Sequence, residues 1–286
     1  MFEDLKFKFL KGDALIRVIL INAFIFIPLL VLKVVLVLLN SRPTFNYVMS
    51  YFEMPTKLDL LLLRPWTVIV YGFTQVDVLH FIFNMLGIYW FGGIIQEFIG
   101  EKRFVSIYVL GVIFGALVVL IAYNVFPYFN NTIEFLIGAS GAVFALAVAA
   151  VTLLPKYTIS FPIFGEIKLL YLVLLYLLIS FASTIGQNAG GNIDHLGGAF
   201  LGFVFIKLLQ KGYDLGKPIN YITSLFNKKP KTKLRVSHRS EKPMKNNSEA
   251  PDQDEIDRIL DKMNQKGGYN SLSQEEKEKL FKYSQK

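Results

Sequence analysis

The sequence predicts an all-α polytopic membrane protein, a bundle of six transmembrane helices followed by a small cytoplasmic helical tail. Two observations lead to this fold class. Hydrophobic residues make up 53% of the 286 residues and charged residues only 18%, whereas about 25% are charged in a typical soluble domain. The apolar residues also form runs long enough to cross a bilayer core of about 30 Å, which takes about 20 helical residues.

Six apolar runs give the predicted spans in order. They lie at residues 14–38, 79–99, 104–126, 136–154, 167–184 and 191–210. Each run must be helical, because hydrocarbon offers no partner to open backbone groups. The first run contains Lys33 and is too long for a cleaved signal peptide, so we expect it to stay attached. The predicted core therefore covers residues 14–210, with a long first loop at 40–78.

The charge of the chain is concentrated in one segment. A formal charge of +8 suggests an acidic partner in a soluble protein, but residues 1–210 are nearly neutral, with 13 Lys/Arg and 11 Asp/Glu. Residues 211–245 hold 10 Lys/Arg and only 2 Asp/Glu. We therefore predict a basic flexible linker at 211–250, in which residues 228–239 contact anionic lipids of the inner leaflet. No nucleic acid partner is expected.

Basic residues next to the span ends predict the orientation in the membrane. They cluster before span one, between spans two and three, between spans four and five, and after span six, whereas the opposite loops carry few. Both termini should therefore be cytoplasmic, including residues 1–13. Residues 251–286 are predicted to form a C-terminal helical hairpin, because Ile256 and Ile259 begin an apolar stripe and Ser273 with Glu276 makes a capping box.

Three polar residues lie near the starts of spans two, four and six, namely His80, Ser140 and His195. All three spans run from outside to inside in the predicted orientation, so these side chains share one depth below the outer surface. A histidine in a membrane span is costly and is functional by default, although small residues around a serine also serve close helix packing. Three polar groups at one level favour a shared site.

The chemistry of these residue types points to a serine nucleophile. A serine hydroxyl needs an adjacent base, usually histidine, to take its proton, and the chain has no cysteine to serve instead. The oxyanion that forms needs hydrogen-bond donors. His80 and Asn84 share a helix face at i and i+4, and the Ser140 amide lies in a first helical turn without an intrahelical partner.

Glycines on span six predict where that helix packs. His195, Gly198 and Gly202 lie on one face, and bare glycines allow another helix to approach closely. The small face of span four at Ser140 and Gly141 is the expected partner. Phe144, one turn below the serine, is expected to support the imidazole by packing. Asp194 is a weaker candidate for a third catalytic member, since neighbours on a helix point about 100° apart.

These motifs resemble those of the rhomboid family of intramembrane serine proteases. The matching segments are His80–Asn84, Gly138–Phe144 and Asp194–Gly202, within a resemblance that covers residues 13–210. The resemblance implies a rhomboid-like six-helix bundle with a Ser140–His195 dyad that uses no carboxylate, cofactor or metal.

The resemblance also assigns roles around the dyad. It implies an oxyanion hole of His80, Asn84 and the Ser140 amide, and supporting roles for Phe144, Gly138, Gly141, Gly198 and Gly202. The implied substrates are single-pass transmembrane proteins. The first loop would dip into the membrane, span five would act as a lateral gate, and the loop at 183–190 as its cap. We expect a bacterial inner (plasma) membrane protein.

The sequence departs from the family at two positions and leaves other functions open. Gln75 stands where some members carry a histidine, and Gln96, followed by Glu97, stands where a glutamate is expected.

A rhomboid-like pseudoprotease that binds or escorts membrane proteins without cleavage is the alternative, although both dyad residues are present. A transporter should show internal repeats, and a metalloprotease an H-E-x-x-H motif. We find no convincing repeat and no such motif.

Overall fold

The computed structural model describes residues 13–161, 165–226, 253–265 and 269–284. The chain forms two compact units, one within residues 1–228 and the other within 229–286. The predictions for residues 1–12 and for the lipid-binding stretch 228–239 lie outside the described residues.

The first unit is built from helices with two short pairs of strands. In chain order the helices are α1 (Ala14–Leu38), α2 (Arg42–Met49), α3 (Leu58–Leu63), α4 (Thr67–Val70), α5 (Val78–Ile99), α6 (Glu101–Val125), α7 (Ser140–Leu153), α8 (Leu169–Ala182), α9 (Ala189–Gln210) and α10 (Lys217–Phe226). The strands are β1 (Met54–Pro55), β2 (Phe135–Leu136), β3 (Thr158–Phe161) and β4 (Gly165–Lys168).

Four of the described helices are long and apolar enough to cross a membrane, and they are α1, α5, α6 and α9. The apolar helices at the predicted fourth and fifth spans are shorter, with 14 residues each in α7 and α8. The predicted fold class, a helical membrane protein, is confirmed, and the count of six spans stays a prediction. Exposed apolar side chains on the outer faces of these helices suit contact with lipid.

Aspartates and a glycine determine where the helices of this unit begin. Asp13 accepts the Ile16 N–H at 2.9 Å and so caps α1. Asp77 caps α5 in the same way. The fourth apolar helix begins at Ser140 rather than at the predicted residue 136, because residues 135 and 136 belong to β2 and Gly138 has a φ of +132°. A backbone with that φ cannot belong to a right-handed helix.

The short helix α7 lies at the centre of the bundle. It packs against α9, α6 and α5, and most of its residues are buried. Small side chains allow this packing: a Cβ added at Gly198 would overlap the Gly141 carbonyl oxygen, and one added at Gly202 would overlap that of Ala145. Bare glycine backbone on α9 therefore lies directly on the backbone of α7.

The first loop folds into short helices that are tied to the rest of the unit. Strand β1 pairs antiparallel with β2, with Met54 opposite Leu136. Arg64 donates to the Ser50 carbonyl at 2.8 Å, and the Trp66 indole donates to the Tyr51 carbonyl at 3.1 Å. The loop thereby joins the segment that precedes Ser140.

Two features differ from the sequence prediction. Strands β3 and β4 pair antiparallel between the fourth and fifth apolar helices, with Thr158 opposite Lys168. Residues 217–226, predicted as part of the flexible linker 211–250, form the helix α10 instead. Pro218 suits a first helical turn, and an ion pair of 3.0 Å between Arg103 and Asp214 holds the preceding residues to α6. The first part of the predicted linker 211–250 therefore contains a helix.

The second unit contains helices α11 (Gln253–Gln265) and α12 (Gln274–Ser284). Ile256 and Ile259 are buried, as is Leu272. The predicted capping box is confirmed: the Ser273 N–H donates to the Glu276 carboxylate at 2.7 Å, and the Glu276 N–H donates to Ser273 Oγ at 3.3 Å. Such a reciprocal cap satisfies two open donors at the start of α12.

Candidate active site

The loop before α7 positions Ser140 as the first residue of that helix. Gly138 donates its N–H to the Tyr71 carbonyl at 3.0 Å, which ties this loop to the first loop. The positive φ of Gly138 turns the chain so that α7 can start two residues later. At a helix start the backbone N–H groups have no intrahelical acceptor, so the Ser140 amide is available to a ligand.

The side chains of His80 and Ser140 both lie close to Gly138. A Cβ added at Gly138 would lie 2.7 Å from His80 Cε1 and 3.6 Å from Ser140 Oγ. The first turn of α5 is fixed by Asp77, which accepts the His80 N–H at 2.8 Å. The missing side chain at Gly138 therefore leaves the space that the imidazole and the hydroxyl share.

Asn84 lies one turn below His80 on α5 and is only 5% exposed. Its Nδ2 is buried and has no hydrogen-bond partner in the described part of the chain. A buried donor without a partner costs free energy and is uncommon in folded proteins. Asn84 thus offers a donor that an incoming oxygen atom could satisfy.

His195 is held on α9 by two different contacts. Its ring stacks on Phe144 of α7 at a centroid distance of 4.3 Å and an interplanar angle of 14°, and Phe144 in turn stacks on Tyr176. Its Nδ1 lies 3.1 Å from Ser180 Oγ of α8. No hydrogen bond joins Ser140 to His195 within the residues that the structure describes, although catalytic hydrogen bonds are often long before substrate binds.

The close packing of α9 on α7 brings the two candidate dyad residues to neighbouring helices. Gly198 lies one turn after His195, and a Cβ there would be 3.2 Å from the Gly141 Cα. Since Gly141 follows Ser140 directly, the same contact relates both side chains. The structure thus brings Ser140, His80 and His195 to one end of the bundle, with Gly141 and Gly198 at the helix contact.

Asp194 is not directed at the imidazole of its neighbour. This buried carboxyl accepts a hydrogen bond of 2.8 Å from the Tyr71 hydroxyl and faces the backbone amide of Gly141. A Cβ at Gly115 would also overlap it. Asp194 therefore ties α9 to the first loop and to α7, which is a structural connection that the sequence did not reveal.

The two departures from the family pattern have defined surroundings. Gln75 is fully buried and donates from Nε2 to Asn22 of α1 at 2.9 Å. Gln96 accepts the Leu15 N–H at 3.1 Å, so it joins the end of α5 to the start of α1. Glu97 is exposed. Gln96 therefore anchors the end of α5 to α1 and not to the first loop.

An apolar cavity of about 880 Å³ opens between α5, α7 and α8. It is lined by Phe83, Trp90, Phe144, Tyr176 and Ile179 among others. Phe144 also stacks on His195, so the cavity extends to within one side chain of the imidazole. Among the described residues, no group of three or more His, Asp or Glu side chains could hold a metal ion.

Fold and site together define a helical integral membrane protein with serine and histidine side chains gathered at one end of its bundle. The family model of the rhomboid domain matches residues 63–212, more than half of the chain. The chain therefore belongs to the rhomboid family, a family of intramembrane proteases. Residues 245–286 match a second family model, described as a family of unknown function (DUF6576).

Two curated proteins of Arabidopsis thaliana are similar to this chain. Rhomboid-like protein 16, chloroplastic, is 26% identical over 184 residues, which cover 58% of this chain and 54% of that protein. RHOMBOID-like protein 12, mitochondrial, is 28% identical over 160 residues, which cover 52% of this chain and 48% of that protein. The chain thus spans about half the length of the curated relatives it matches.

Proposed function

We propose that the protein is an intramembrane serine endopeptidase that hydrolyses peptide bonds in or near the transmembrane segment of membrane-protein substrates. The observation that carries this proposal is the gathering of a serine hydroxyl, a supported imidazole and unfilled donors at one end of the bundle. Ser140 is the nucleophile and His195 the general base. His80, Asn84 and the Ser140 amide are the oxyanion donors.

The proposed reaction follows the usual order of acyl transfer. Ser140 Oγ attacks the scissile carbonyl carbon while its proton passes to the lone pair on His195 Nε2. The carbonyl oxygen becomes an oxyanion and accepts hydrogen bonds from Asn84 Nδ2, the His80 ring and the Ser140 amide. The imidazolium then protonates the leaving amine, and water hydrolyses the acyl-enzyme by the same steps. No metal or cofactor takes part.

The apolar cavity supports a transmembrane substrate. Its lining of aromatic and aliphatic side chains from α5 and α8 suits an apolar segment that enters sideways from lipid. In this proposal α8 is the lateral gate and the loop at 183–190 is its cap. The scissile peptide must leave its helical conformation to reach Ser140, so residues of low helix propensity near the cleavage site should favour turnover.

We also propose the orientation and the membrane. Basic residues at the ends of the apolar helices support cytoplasmic termini. We favour a bacterial plasma membrane for this chain, and the names of the two curated relatives place those proteins in chloroplasts and mitochondria. Contact of residues 228–239 with anionic lipid fits their charge.

Cleavage of a fluorescent transmembrane substrate by the purified full-length protein tests the function. Wild type should cleave at least one of a panel of single-pass substrates, and Ser140→Ala and His195→Ala should lose turnover while keeping the wild-type melting temperature. Turnover equal to wild type in the His195→Ala variant would contradict the dyad.

The alternative is a pseudoprotease that binds membrane proteins without cutting them. The comparisons with rhomboid-like proteins leave this function open, since a shared fold does not fix activity. In that case wild type and Ser140→Ala would capture a transmembrane segment equally well, and neither would release a product. The presence of both Ser140 and His195, with free donors beside them, favours the protease.

A further inference from the structure

Helix α8 carries one small hydroxyl on its buried stripe. The buried residues of this helix are Leu169, Val173 and Ser180, which share a face at helical spacing. Ser180 is only 3% exposed, whereas its neighbours Ile179 and Phe181 are more than half exposed. Burying a hydroxyl among apolar side chains is unfavourable unless it has a hydrogen-bond partner. The buried hydroxyl of Ser180 therefore needs a hydrogen-bond partner.

That partner is the imidazole of His195. Ser180 Oγ lies 3.1 Å from Nδ1, while Phe144 stacks on the face of the same ring. The ring is thus held at one face and at one edge. Nε2 is the other ring nitrogen, and it has no hydrogen-bond partner among the residues that the structure describes.

We propose that Ser180 is a positioning residue that accepts a hydrogen bond from Nδ1–H of His195 and so selects the tautomer in which Nε2 is the base. A neutral imidazole carries one proton, so a proton on Nδ1 leaves the Nε2 lone pair free. The only side-chain hydrogen bond of Ser180 in the described part of the chain is the one to Nδ1. In the proposed reaction Nε2 must take the Ser140 proton, so Nδ1 carries the ring proton and Ser180 Oγ accepts it.

The same contact should favour the transition state over the ground state. When Nε2 takes the proton of Ser140, the ring becomes an imidazolium and Nδ1 keeps its proton. The bond from Nδ1–H to Ser180 Oγ then becomes charge-assisted and stronger. An interaction that strengthens in the transition state raises kcat rather than lowering KM. Because Ser180 belongs to α8, it orients the ring only while that helix stays docked.

Kinetics of three variants test this inference, which rests on the proposed protease function. Ser180→Ala should lower kcat about tenfold at unchanged KM and melting temperature, since one hydrogen bond to the base is lost. Ser180→Thr keeps the hydroxyl and should restore most of kcat. Ser160→Ala, the same substitution at an exposed residue of β3, is the matched control and should behave as wild type.

Nitrogen-15 spectra of histidine-labelled protein report the tautomer without any turnover. In the wild type, His195 should carry its proton on Nδ1, and Ser180→Ala should shift the signal towards a mixture of tautomers. The signal is assigned by its loss in His195→Gln. A wild-type Nε2–H tautomer, or a tautomer and kcat unchanged in Ser180→Ala, would overturn the inference.

The two readouts separate this inference from the proposed function. If wild type cleaves no substrate but its tautomer depends on Ser180, the positioning role is supported and the protease proposal fails. If Ser180→Ala lowers kcat and the melting temperature together while the tautomer is unchanged, Ser180 serves packing only and the inference is wrong.

Discussion

The substitution Gly198→Ala should force apart the two helices that carry Ser140 and His195. A Cβ at residue 198 would lie 2.8 Å from the Gly141 carbonyl carbon and closer still to its oxygen. Carbon atoms in favourable contact lie about 3.5–4.0 Å apart. Because both obstructing atoms belong to backbone, α9 must move away from α7 by about 1 Å to relieve the overlap.

The displacement of α9 should lower the rate of cleavage. His195 lies one turn before Gly198 on the same helix face, so the imidazole moves with the helix. A misplacement of about 1 Å can lower an enzymatic rate about 100-fold. Overpacking of this kind also destabilises a fold by about 1–3 kcal/mol. We therefore expect a loss of activity much larger than the fraction of protein that unfolds.

Initial rates of cleavage and thermal unfolding, measured in the same detergent, test this expectation. Gly93→Ala is the matched control, because a Cβ there would meet nothing within 4 Å. The control should cleave like wild type, while Gly198→Ala should lose about two orders of magnitude in rate. Wild-type rates in Gly198→Ala would refute the packing argument, and so would equal losses in both variants.

Three further predictions concern side chains around the site and in the second unit. Phe144→Leu removes the ring that stacks on the imidazole, so kcat should fall about three- to tenfold at constant KM; steady-state kinetics with wild-type kcat would contradict this. Tyr71→Phe removes the hydroxyl that donates to the buried Asp194 carboxyl, so the free energy of unfolding should fall by about 1–3 kcal/mol. An unchanged melting temperature in thermal unfolding would contradict this. The hydrogen bond from Lys262, and then the cap at the start of α12, lower the pKa of Glu276 from 4.5 to about 2. The stabilising effect of this carboxylate is therefore complete above about pH 4.5 and is lost as the pH falls towards 2. Hydrogen-exchange protection of α11 and α12, corrected for intrinsic rates, should decrease over that window in wild type and less so in Glu276→Gln; identical profiles would contradict the assignment.

Much of the site could be predicted because membrane topology adds a constraint that soluble sequences lack. A polar residue in an apolar span is costly, and three alternate spans run in the same direction. His80, Ser140 and His195 could therefore be placed at one depth, although 115 positions separate the first from the last. Helical spacing then indicated Asn84 and Phe144 as neighbours of these residues.

The remaining contacts depend on tertiary packing that the sequence pattern does not encode. Tyr71 is 123 positions from Asp194, and its pattern in the first loop is that of any buried aromatic residue. The sequence gives one indication of the role of Ser180, because it is a small hydroxyl residue in a mainly apolar span. Many such residues, however, only form a hydrogen bond to their own helix. Helix α10 was missed because the basic composition of 211–245 outweighed the local apolar spacing around Ile219 and Ile222.

Covalent labelling with a fluorophosphonate probe tests the central claim most directly. The probe reacts with a serine whose hydroxyl is activated by a base, so peptide mapping by mass spectrometry should find the adduct on Ser140 of the folded wild type. Labelling should be lost in Ser140→Ala and strongly reduced in His195→Ala. An unlabelled wild type that also cleaves no transmembrane substrate, or an adduct on another residue, would contradict the account.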